Sequence, residues 1–488
     1  AEWESYVQKR KSQKFTVIQV GAGPGFSQIT KDRNNNTPFT GSSASLVLNP
    51  VYWREVERKV QYANEQGLLV FLTEVREPAV GFPRNDAVQV RRFARNVAAR
   101  MMGNFVVFAP FHDYWWESGD DESGDELQKS TSMHLVTQHP EFTWPPHPVF
   151  HDKSWTDFAG MQTGHGWTHN PHEGDYGKPN FSAPLASQQA IEFPLNLYNR
   201  LPIKPVLNLE AVYDHKAIHE GETVWHIQPF PIRIPRSTAY LSLLSGAKGF
   251  TYGVGGVCSW GIYPGWGPAI WDFNTALNQP SGTQMRYLFD LFSGLEWWKL
   301  VPSHQLVKNQ STDWLKKMVI AKTPDGRLAV AYLPDNSTSV LDMSAFAGSM
   351  AATWFNPVTN ANQSGPASVP NVGTYTFTKP SGWSDAVLVL SVAPGPVATP
   401  AIVPDGGSFT TSVNVSLSCA TSGATIRYTT TGSDPTTSTP IYTSPLLRAR
   451  QSAALISRSH PDAPVRGCVW LSEVRTAWQG ESNKIQDE

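Results

Sequence analysis

The chain has 488 residues, 40% of them hydrophobic and 16% charged, which is enough for roughly two to four globular domains. A formal net charge of −2 gives no electrostatic reason to expect nucleic acid or an anionic membrane surface as a partner. No apolar run reaches the ~18 residues of a membrane-spanning helix, and three widely separated cysteines exclude a disulfide scaffold. The eighteen tryptophans and fifteen tyrosines suit either an aromatic core or contact with the apolar faces of sugars.

The first 300 residues alternate between strand-like and helix-like segments. Short apolar runs predict strands over 14–20, 68–75, 105–111, 133–138, 158–163, 206–209 and 249–254. Amphipathic or helix-like stretches predict helices over 2–11, 50–66, 85–102, 184–198 and 236–244. This alternation is typical of α/β proteins with a parallel sheet. We therefore expect residues 1–300 to form a (β/α)8 TIM barrel whose first strand would precede Ala1.

After residue 300 the pattern changes to short strands separated by turn residues. These strands are predicted over 318–321, 328–333, 339–341, 352–355, 375–377 and 386–390, and they favour an antiparallel β-sandwich over 301–392. Residues 393–399 have the composition of a linker, and the Ser/Thr-rich stretch 400–446 predicts a second, smaller β module. The tail 447–488 has no clear periodicity, and we expect it to be poorly ordered.

Two acidic residues stand at the ends of predicted strands. Asp113 follows the run 104–111, and Glu210 ends the run 206–209. A carboxylate at such a point is costly to bury unless it is paired or used, and the strand ends of a parallel barrel are where reacting groups lie. Cleavage of a glycosidic bond needs two carboxyl groups flanking that bond. We interpret Asp113 and Glu210 as this pair; the alternative is a structural role, such as a cap or a partner for an arginine.

Polar and aromatic residues near the strand ends are candidates for holding a sugar. They are His112, Trp115, His139, His165, Tyr213, Tyr252 and Trp260. His139 and His165 either bind sugar hydroxyls, hold a carboxylate, or make a purely structural hydrogen bond. Trp260, in a Gly/Pro-rich loop, is either a sugar platform or loop packing.

Two other patterns resemble a cofactor site and a metal site, but neither is complete, and we predict no cofactor and no metal. The run Gly21–Gly25 follows a strand as a dinucleotide-binding loop would, but its third glycine comes one residue early and no apolar helix follows. His215, His219 and Glu220 lie in a short polar stretch that favours a solvated loop over a metal site.

Residues 1 to about 300 resemble the apiosidase-like glycoside hydrolase family, a barrel that carries a small C-terminal sandwich. The matching stretches, in chain order, are WESYVQKRKSQKFTVIQV, VERKVQYANEQGLLVFL, HLVTQHPEF, KPVLNLEAVYD, AYLSLLSGAKGFTYG and MRYLFDLFSGLEWWKLVPS. Residues 301–392 look like the family's companion sandwich, sometimes labelled a collagen-binding domain. Residues 399–446 are similar to the chitobiase C-terminal β module, through the run GATIRYTTTGSDPT.

The resemblance implies a role for each carboxylate. The family's acid/base aspartate falls on Asp113, at the end of the fourth barrel strand, and its nucleophilic glutamate falls on Glu210, at the end of the seventh. This implies a retaining double displacement with the carboxyl groups ~5–5.5 Å apart, Asp113 protonated and Glu210 ionised. The segment Pro110–Asp113 departs from the Gly-Gly-Asp or Gly-Asn-Glu pattern of many members.

The resulting expectation is a secreted or periplasmic bacterial glycosidase that acts on a side chain of a plant or microbial polysaccharide. The alternative is a non-catalytic carbohydrate- or matrix-binding protein with a degenerate barrel. Activity on aryl glycosides separates the two, because only the first hypothesis predicts turnover.

Overall fold

The computed structural model describes most of the chain in two compact units, Ala1–Ala393 and Pro394–Glu488. The described residues are 2–23, 31–32, 34–42, 45–76, 82–114, 119–140, 150–164, 183–214, 218–220, 224–226, 232–257, 262–263, 267–268, 272–393, 400–404, 412–420, 425–429, 436 and 438–448. Only the backbone is described at 76, 112–114, 218–220, 224–226, 262–263, 267–268 and 448. Within these ranges, no helix has the length and apolar character needed to cross a membrane. The predicted linker, except Ala393, and the tail beyond residue 448 lie outside the described residues.

Among the described residues, seven parallel strands follow one another in the N-terminal part of the first unit. They are β1 (Val17–Gly21), β2 (Leu69–Arg76), β3 (Val106–Tyr114), β4 (His139–Pro140), β5 (Ala159–Gln162), β6 (Val206–Glu210) and β7 (Gly249–Phe250). β1 to β4 form one sheet in chain order, and β5 to β7 form a second sheet in chain order. All of these pairings are parallel. The amide of Asp157 donates to the carbonyl of Val136 at 2.8 Å, which links the β4 region to the β5 region.

The strands lie close to the segments that the sequence predicts. The largest difference is β4, which begins one residue past the predicted segment; within that segment, Val136 forms an isolated bridge with Phe108. Closure into a barrel of eight strands remains a prediction, because the pairing among the described residues forms two separate sheets.

Eight α-helices accompany these strands. They are α1 (Glu2–Ser12), α2 (Pro50–Glu65), α3 (Ala87–Met101), α4 (Asp120–Ser130), α5 (Ala183–Tyr198), α6 (Arg233–Leu244), α7 (Phe273–Leu277) and α8 (Pro280–Ser293), all in the described part of the chain. The start of α2 follows from its sequence, because the Asn49 side chain accepts from the amide of Val51 and a proline occupies the first turn. Asp86 caps α3 in the same way, accepting from two amides of its first turn.

Alternation along the strands separates two layers of core. Phe71 of β2, Val107 and Ala109 of β3, and Leu209 of β6 share one buried cluster with Phe158. The intervening positions, such as Leu72 and Phe108, pack in a different cluster that includes α2 and α3. A side chain near a strand end therefore points to one of two sides, according to its position in the alternation. It packs either with the Phe71 cluster or on the side of the strands that the helices cover, which we call the helix layer.

In the part of residues 1–300 that the structure describes, three antiparallel ribbons interrupt the alternating pattern. They pair Phe39–Ser42 with Ser45–Leu48, Ile218–Glu220 with Val224–His226, and Ile262–Tyr263 with Gly267–Pro268. The predicted polar loop that contains His219 and Glu220 thus includes a short strand.

The second part of the first unit is an antiparallel β-sandwich, as the sequence predicts. Its strands are β8 (Val301–Pro302), β9 (Val319–Lys322), β10 (Leu328–Leu333), β11 (Thr338–Asp342), β12 (Met350–Phe355), β13 (Asn362–Ser364), β14 (Thr374–Thr378) and β15 (Ala386–Val392). Six of them form a sheet in the order β8-β9-β10-β15-β12-β13, and β11 pairs with β14.

One face of the six-stranded sheet shares a core with the helices. Tyr240 of α6 stacks on Tyr332 of β10 with ring centroids 4.9 Å apart, within a buried cluster that also contains residues of α5 and α8. At the same contact, Arg236 makes a bidentate pair with Asp385 at 2.9 and 2.8 Å, and both side chains are buried. The sandwich is therefore packed against the helical layer through an apolar core that contains a buried ion pair.

The described residues of the second unit form a three-stranded antiparallel sheet. Its strands are β16 (Ala401–Val403), β17 (Val413–Ser418) and β18 (Leu446–Arg448), with β17 in the centre. Val415 and Leu417 are buried while Asn414 and Ser416 are exposed, which is the alternation expected of a strand with one buried face.

Candidate active site

Glu210 is the last residue of β6, and its carboxylate is almost completely buried, with 5% of the residue exposed. Its backbone carbonyl accepts from the amides of Thr163 and Gly164 at 2.9 and 3.2 Å, which holds the end of β6 against the end of β5. The residue is therefore fixed in position by main-chain bonds, independently of its carboxylate.

The pairing between β5 and β6 is irregular at this point. Met161 pairs with Asn208, but the next residue, Gln162, pairs with Glu210, so that Leu209 is an extra residue in β6. Strict alternation would place Glu210 on the same side as Asn208, whose amide nitrogen is 3.0 and 3.1 Å from hydroxyls of Thr163 and of Ser242 in α6. A bulge of this kind changes the direction of a side chain, and bulges are frequent beside active sites.

The Glu210 carboxylate meets the imidazole of His139, which belongs to β4. His139 Nε2 and Glu210 Oε2 are 3.7 Å apart, and the two side chains are 0% and 7% exposed. A carboxylate in a buried setting is stabilised by a neighbouring group that can donate a hydrogen bond or carry a positive charge. The pair thus combines a candidate nucleophile with a group able to keep it ionised.

Asp113 lies at the end of β3, on the strand that pairs with β4. His112 stands opposite Arg76 on one side and opposite His139 on the other, and the register shifts between His112 and Tyr114. The side chains of residues 112–114 lie outside the described residues, so the structure describes the position of the Asp113 backbone alone. That backbone lies at the end of β3, next to the end of β4, where the His139 ring reaches Glu210.

The other predicted sugar-binding residues divide into two groups. Tyr213 is partly exposed, and its ring packs on Gly253, where a β-carbon would lie 2.3 Å from the ring. The Tyr252 hydroxyl is 2.6 Å from that of Ser281, and its ring stacks on Phe15. The second group lies outside the described side chains: His112, Trp115, His165 and Trp260.

Ser281 also joins Tyr252 to a buried carboxylate. Its hydroxyl donates to Asp214, which is completely buried beyond the end of β6. Burial, with a further contribution from Asp214, raises the pKa of Tyr252 far above its ordinary value. The tyrosine hydroxyl is thus part of an internal network that ties the β6 and β7 ends to α8.

Glu74 of β2 is a strand-end carboxyl that the sequence analysis did not single out. It is fully buried, and burial raises its pKa to about 8, partly offset by the hydrogen bond that Ser123 donates at 3.1 Å. Ser123 belongs to α4, so Glu74 faces the helix layer. Like Glu210, Glu74 follows an apolar run, and this sequence pattern could have identified Glu74 as a second strand-end carboxyl.

Gln138, beside His139, contacts the strand that carries Asp113. Its side-chain oxygen accepts from the amide of Phe111 at 3.4 Å, and the side chain is buried. The dipeptide Gln138-His139 therefore contacts β3 through one residue and Glu210 through the other.

No metal site is formed by the residues that the structure describes: they contain no group of three or more His, Cys, Asp or Glu side chains arranged to hold an ion. His215 lies outside these residues, as do the side chains of His219 and Glu220.

Comparison with protein families gives three matches along the chain. Residues 1–299 match the model described as "Apiosidase-like, catalytic domain". Residues 301–391 match the "Putative collagen-binding domain of a collagenase", and residues 404–454 match the "Chitobiase/beta-hexosaminidase C-terminal domain". No curated protein matches the chain.

Solved structures resemble the first unit in fold. A structure described as a glycoside hydrolase has a TM-score of 0.68 and 20% identity, covering 80% of this chain and 89% of its own. A glycoside hydrolase family 5 protein from Bacteroides vulgatus also has a TM-score of 0.68, with 18% identity over 80% of this chain and 86% of its own. These likenesses support a TIM-barrel-like domain followed by an antiparallel sheet domain.

Proposed function

The chain belongs to the apiosidase-like family, whose catalytic-domain model matches residues 1–299, and we propose that it cleaves glycosidic bonds with retention of configuration through Asp113 and Glu210. Its general activity, glycosidase, follows from that membership. The observation that carries the residue assignment is the buried carboxylate of Glu210 at the end of β6, 3.7 Å from the imidazole of His139.

The chemistry requires the two carboxyl groups to divide the work. Asp113 donates a proton to the oxygen of the leaving group while Glu210 attacks the anomeric carbon, which gives a covalent glycosyl-enzyme. Asp113 then removes a proton from water, and the water displaces Glu210. This scheme predicts that the two carboxyl groups lie ~5–5.5 Å apart, whereas an inverting enzyme would need ~6.5–9.5 Å to admit a water.

The substrate that we propose is a sugar side chain of a plant or microbial polysaccharide, with apiose in pectin as the family's name suggests. Polymers of this size are degraded outside the cytoplasm, so the proposal also implies a secreted or periplasmic enzyme. Loops at the strand ends set the specificity within a barrel family, so hydrolysis of a panel of substrates is the measurement that identifies the sugar.

The test is hydrolysis of a panel of aryl glycosides and pectic oligosaccharides by the wild-type chain and by Asp113→Asn and Glu210→Gln. Each variant should lose roughly 100- to 10,000-fold in kcat, because each lacks one half of the acid–base or nucleophilic step. Glu65→Gln, at an exposed position of α2, is the matched control and should keep wild-type activity. Proton NMR of the first sugar released should show the anomer of the substrate.

Two results would contradict the proposal. Wild-type rates in both variants would show that other residues carry the reaction. Binding of the oligosaccharides without turnover by the wild-type chain would favour a non-catalytic carbohydrate-binding protein.

A further inference from the structure

His139 is completely buried, although it lies at the strand ends where a sugar would bind. Its exposed fraction is 0%, while Tyr213 at the same end of the strands is partly exposed. A side chain with no accessible surface cannot contact a sugar without a rearrangement. Its Nε2 atom is instead 3.7 Å from Glu210 Oε2.

We propose that His139 is a positioning residue for Glu210: it orients the attacking carboxylate and keeps it ionised, and it does not bind the sugar. The inference rests on the proposed role of Glu210 as nucleophile. Of the roles that the sequence leaves open for His139, it selects the one in which the histidine holds a carboxylate.

The backbone around the pair is held firmly enough for such a role. His139 pairs with His112 of β3, and the neighbouring Gln138 accepts from the amide of Phe111. The carbonyl of Glu210 accepts from the amides of Thr163 and Gly164. The backbones of both partners are therefore held by contacts other than the one between their side chains, which contributes to the preorganisation of a catalytic group.

The distance of 3.7 Å is longer than a hydrogen bond and shorter than the limit for an ion pair. Catalytic hydrogen bonds are often long without substrate and shorten in the complex. A carboxylate that is 7% exposed has lost most of its hydration, so an imidazole that can donate a hydrogen bond or carry a positive charge at this distance favours the charged form. A buried carboxylate without such a donor would bind a proton more readily and would attack the sugar less often.

Three residues on or next to the strands around Glu210 bear on its charge. Asp113 is the penultimate residue of β3, and only its backbone is described; a negative charge close to Glu210 would oppose the ionisation of Glu210. Asp214 follows on the same chain segment, and its carboxylate accepts from the hydroxyl of Ser281. From β5, the residue in register is the uncharged Gln162. Of the residues named here, His139 is the one that can carry a positive charge beside Glu210.

The experiment compares His139→Ala with His139→Gln in the full chain. Glutamine places an uncharged N–H donor near the position of Nε2, whereas alanine removes the donor. We expect His139→Ala to lower kcat at least about tenfold, to leave KM within about threefold, and to move the acidic limb of the kcat/KM profile upward by about one pH unit. His139→Gln should recover most of the lost kcat. Thermal unfolding followed by circular dichroism checks that both variants are folded.

A measurement that needs no substrate complements the kinetics. Glutamate labelled with carbon-13 at the carboxyl carbon gives a titration curve for Glu210, assigned by its loss in Glu210→Gln. The titration midpoint should rise in His139→Ala, because the carboxylate has lost a neighbouring imidazole that can carry a positive charge. This readout applies even if no glycoside in the panel is hydrolysed.

The outcomes separate this inference from the proposed function. An unchanged kcat and an unchanged Glu210 midpoint in His139→Ala would overturn the positioning role, as would a rise in KM with constant kcat, which indicates sugar contact. Full activity of Glu210→Gln would instead refute the nucleophile assignment itself. Loss of activity in Glu210→Gln with wild-type behaviour in His139→Ala would leave the proposed function intact and overturn the inference alone.

Discussion

Replacement of Glu74 by glutamine should make the folded protein more stable at alkaline pH and change little at acidic pH. Glu74 is fully buried between β2 and α4, and its Oε2 atom accepts from the hydroxyl of Ser123 at 3.1 Å. Its other carboxyl oxygen has no hydrogen-bond partner among the described residues. Glutamine has nearly the same shape but cannot ionise, so it removes the titration and keeps an oxygen for Ser123.

The magnitude follows from the shift in pKa. Burial raises the pKa of Glu74 from 4.5 to about 8 in the folded chain. Between these values the unfolded chain has lost a proton that the folded chain retains, so the free energy of unfolding falls as pH rises. The contribution is fully present below pH ~4.5 and is lost as pH passes through ~8, and at ~1.4 kcal/mol per unit its ceiling is about 5 kcal/mol.

The assay is urea unfolding of the wild-type chain and Glu74→Gln between pH 5 and pH 9. The advantage of Glu74→Gln should be below about 1 kcal/mol at pH 5 and should reach at least about 2 kcal/mol at pH 8. Glu65→Gln, at an exposed position of α2, should show a constant difference. A difference between Glu74→Gln and wild type that does not change with pH would refute the reasoning, because it would mean that Glu74 ionises equally well in both states.

The remaining predictions concern packing and the buried ion pair, and urea unfolding checks each of them. Arg236→Met should cost roughly 3–5 kcal/mol of the free energy of unfolding, because it leaves Asp385 charged and buried. The double variant with Asp385→Leu should cost less than the sum of the two single changes. Simple additivity would contradict this coupling. In α4, Gly124→Ala gains about 1 kcal/mol of helix propensity. Its β-carbon would lie 2.2 Å from the Trp155 ring, and such overpacking costs ~1–3 kcal/mol, so we expect a net loss of up to ~2 kcal/mol. Gly103→Ala, where nothing lies within 4 Å, should stay within about 0.5 kcal/mol, and an equal loss in both glycine variants would argue against the clash with Trp155.

The strands of the first unit could be predicted because apolar runs of limited length alternate with capped amphipathic helices. The helix α4 could not, since DDESGDELQKS has a single large apolar residue, Leu127. Its stability comes from tertiary contacts that a local pattern does not contain: Glu126 pairs with Arg95 of α3 at 2.6 Å, and Trp155 packs on Gly124. Strand β4 lies outside the predicted segment for a related reason. Its two residues are defined by pairing with β3 and not by an apolar run.

Two carboxyl groups with the same sequence pattern, Glu74 and Glu210, have different surroundings in the structure. Glu74 and Glu210 both follow apolar runs, and both occupy positions that alternation assigns to the helix layer. Glu74 stays there, beside Ser123. Glu210 reaches His139 of β4 because Leu209 is an extra residue in the pairing with β5. A bulge depends on the register of two strands distant in sequence, so no local pattern could separate these two carboxyl groups.

The contact between the sandwich and the helices bears on what residues 301–391 do. The family model that they match is named for collagen binding, but one face of the six-stranded sheet is already covered by α6 and its neighbours. Val319, Val330 and Val387 point into the cluster that contains Tyr240. An apolar face that is buried against the helices cannot also bind a ligand, and Arg236 reaches across this contact to Asp385. A ligand of the sandwich would have to use other surfaces, whereas the buried face stabilises the helical layer behind β5, β6 and β7, and thereby the strand end that carries Glu210.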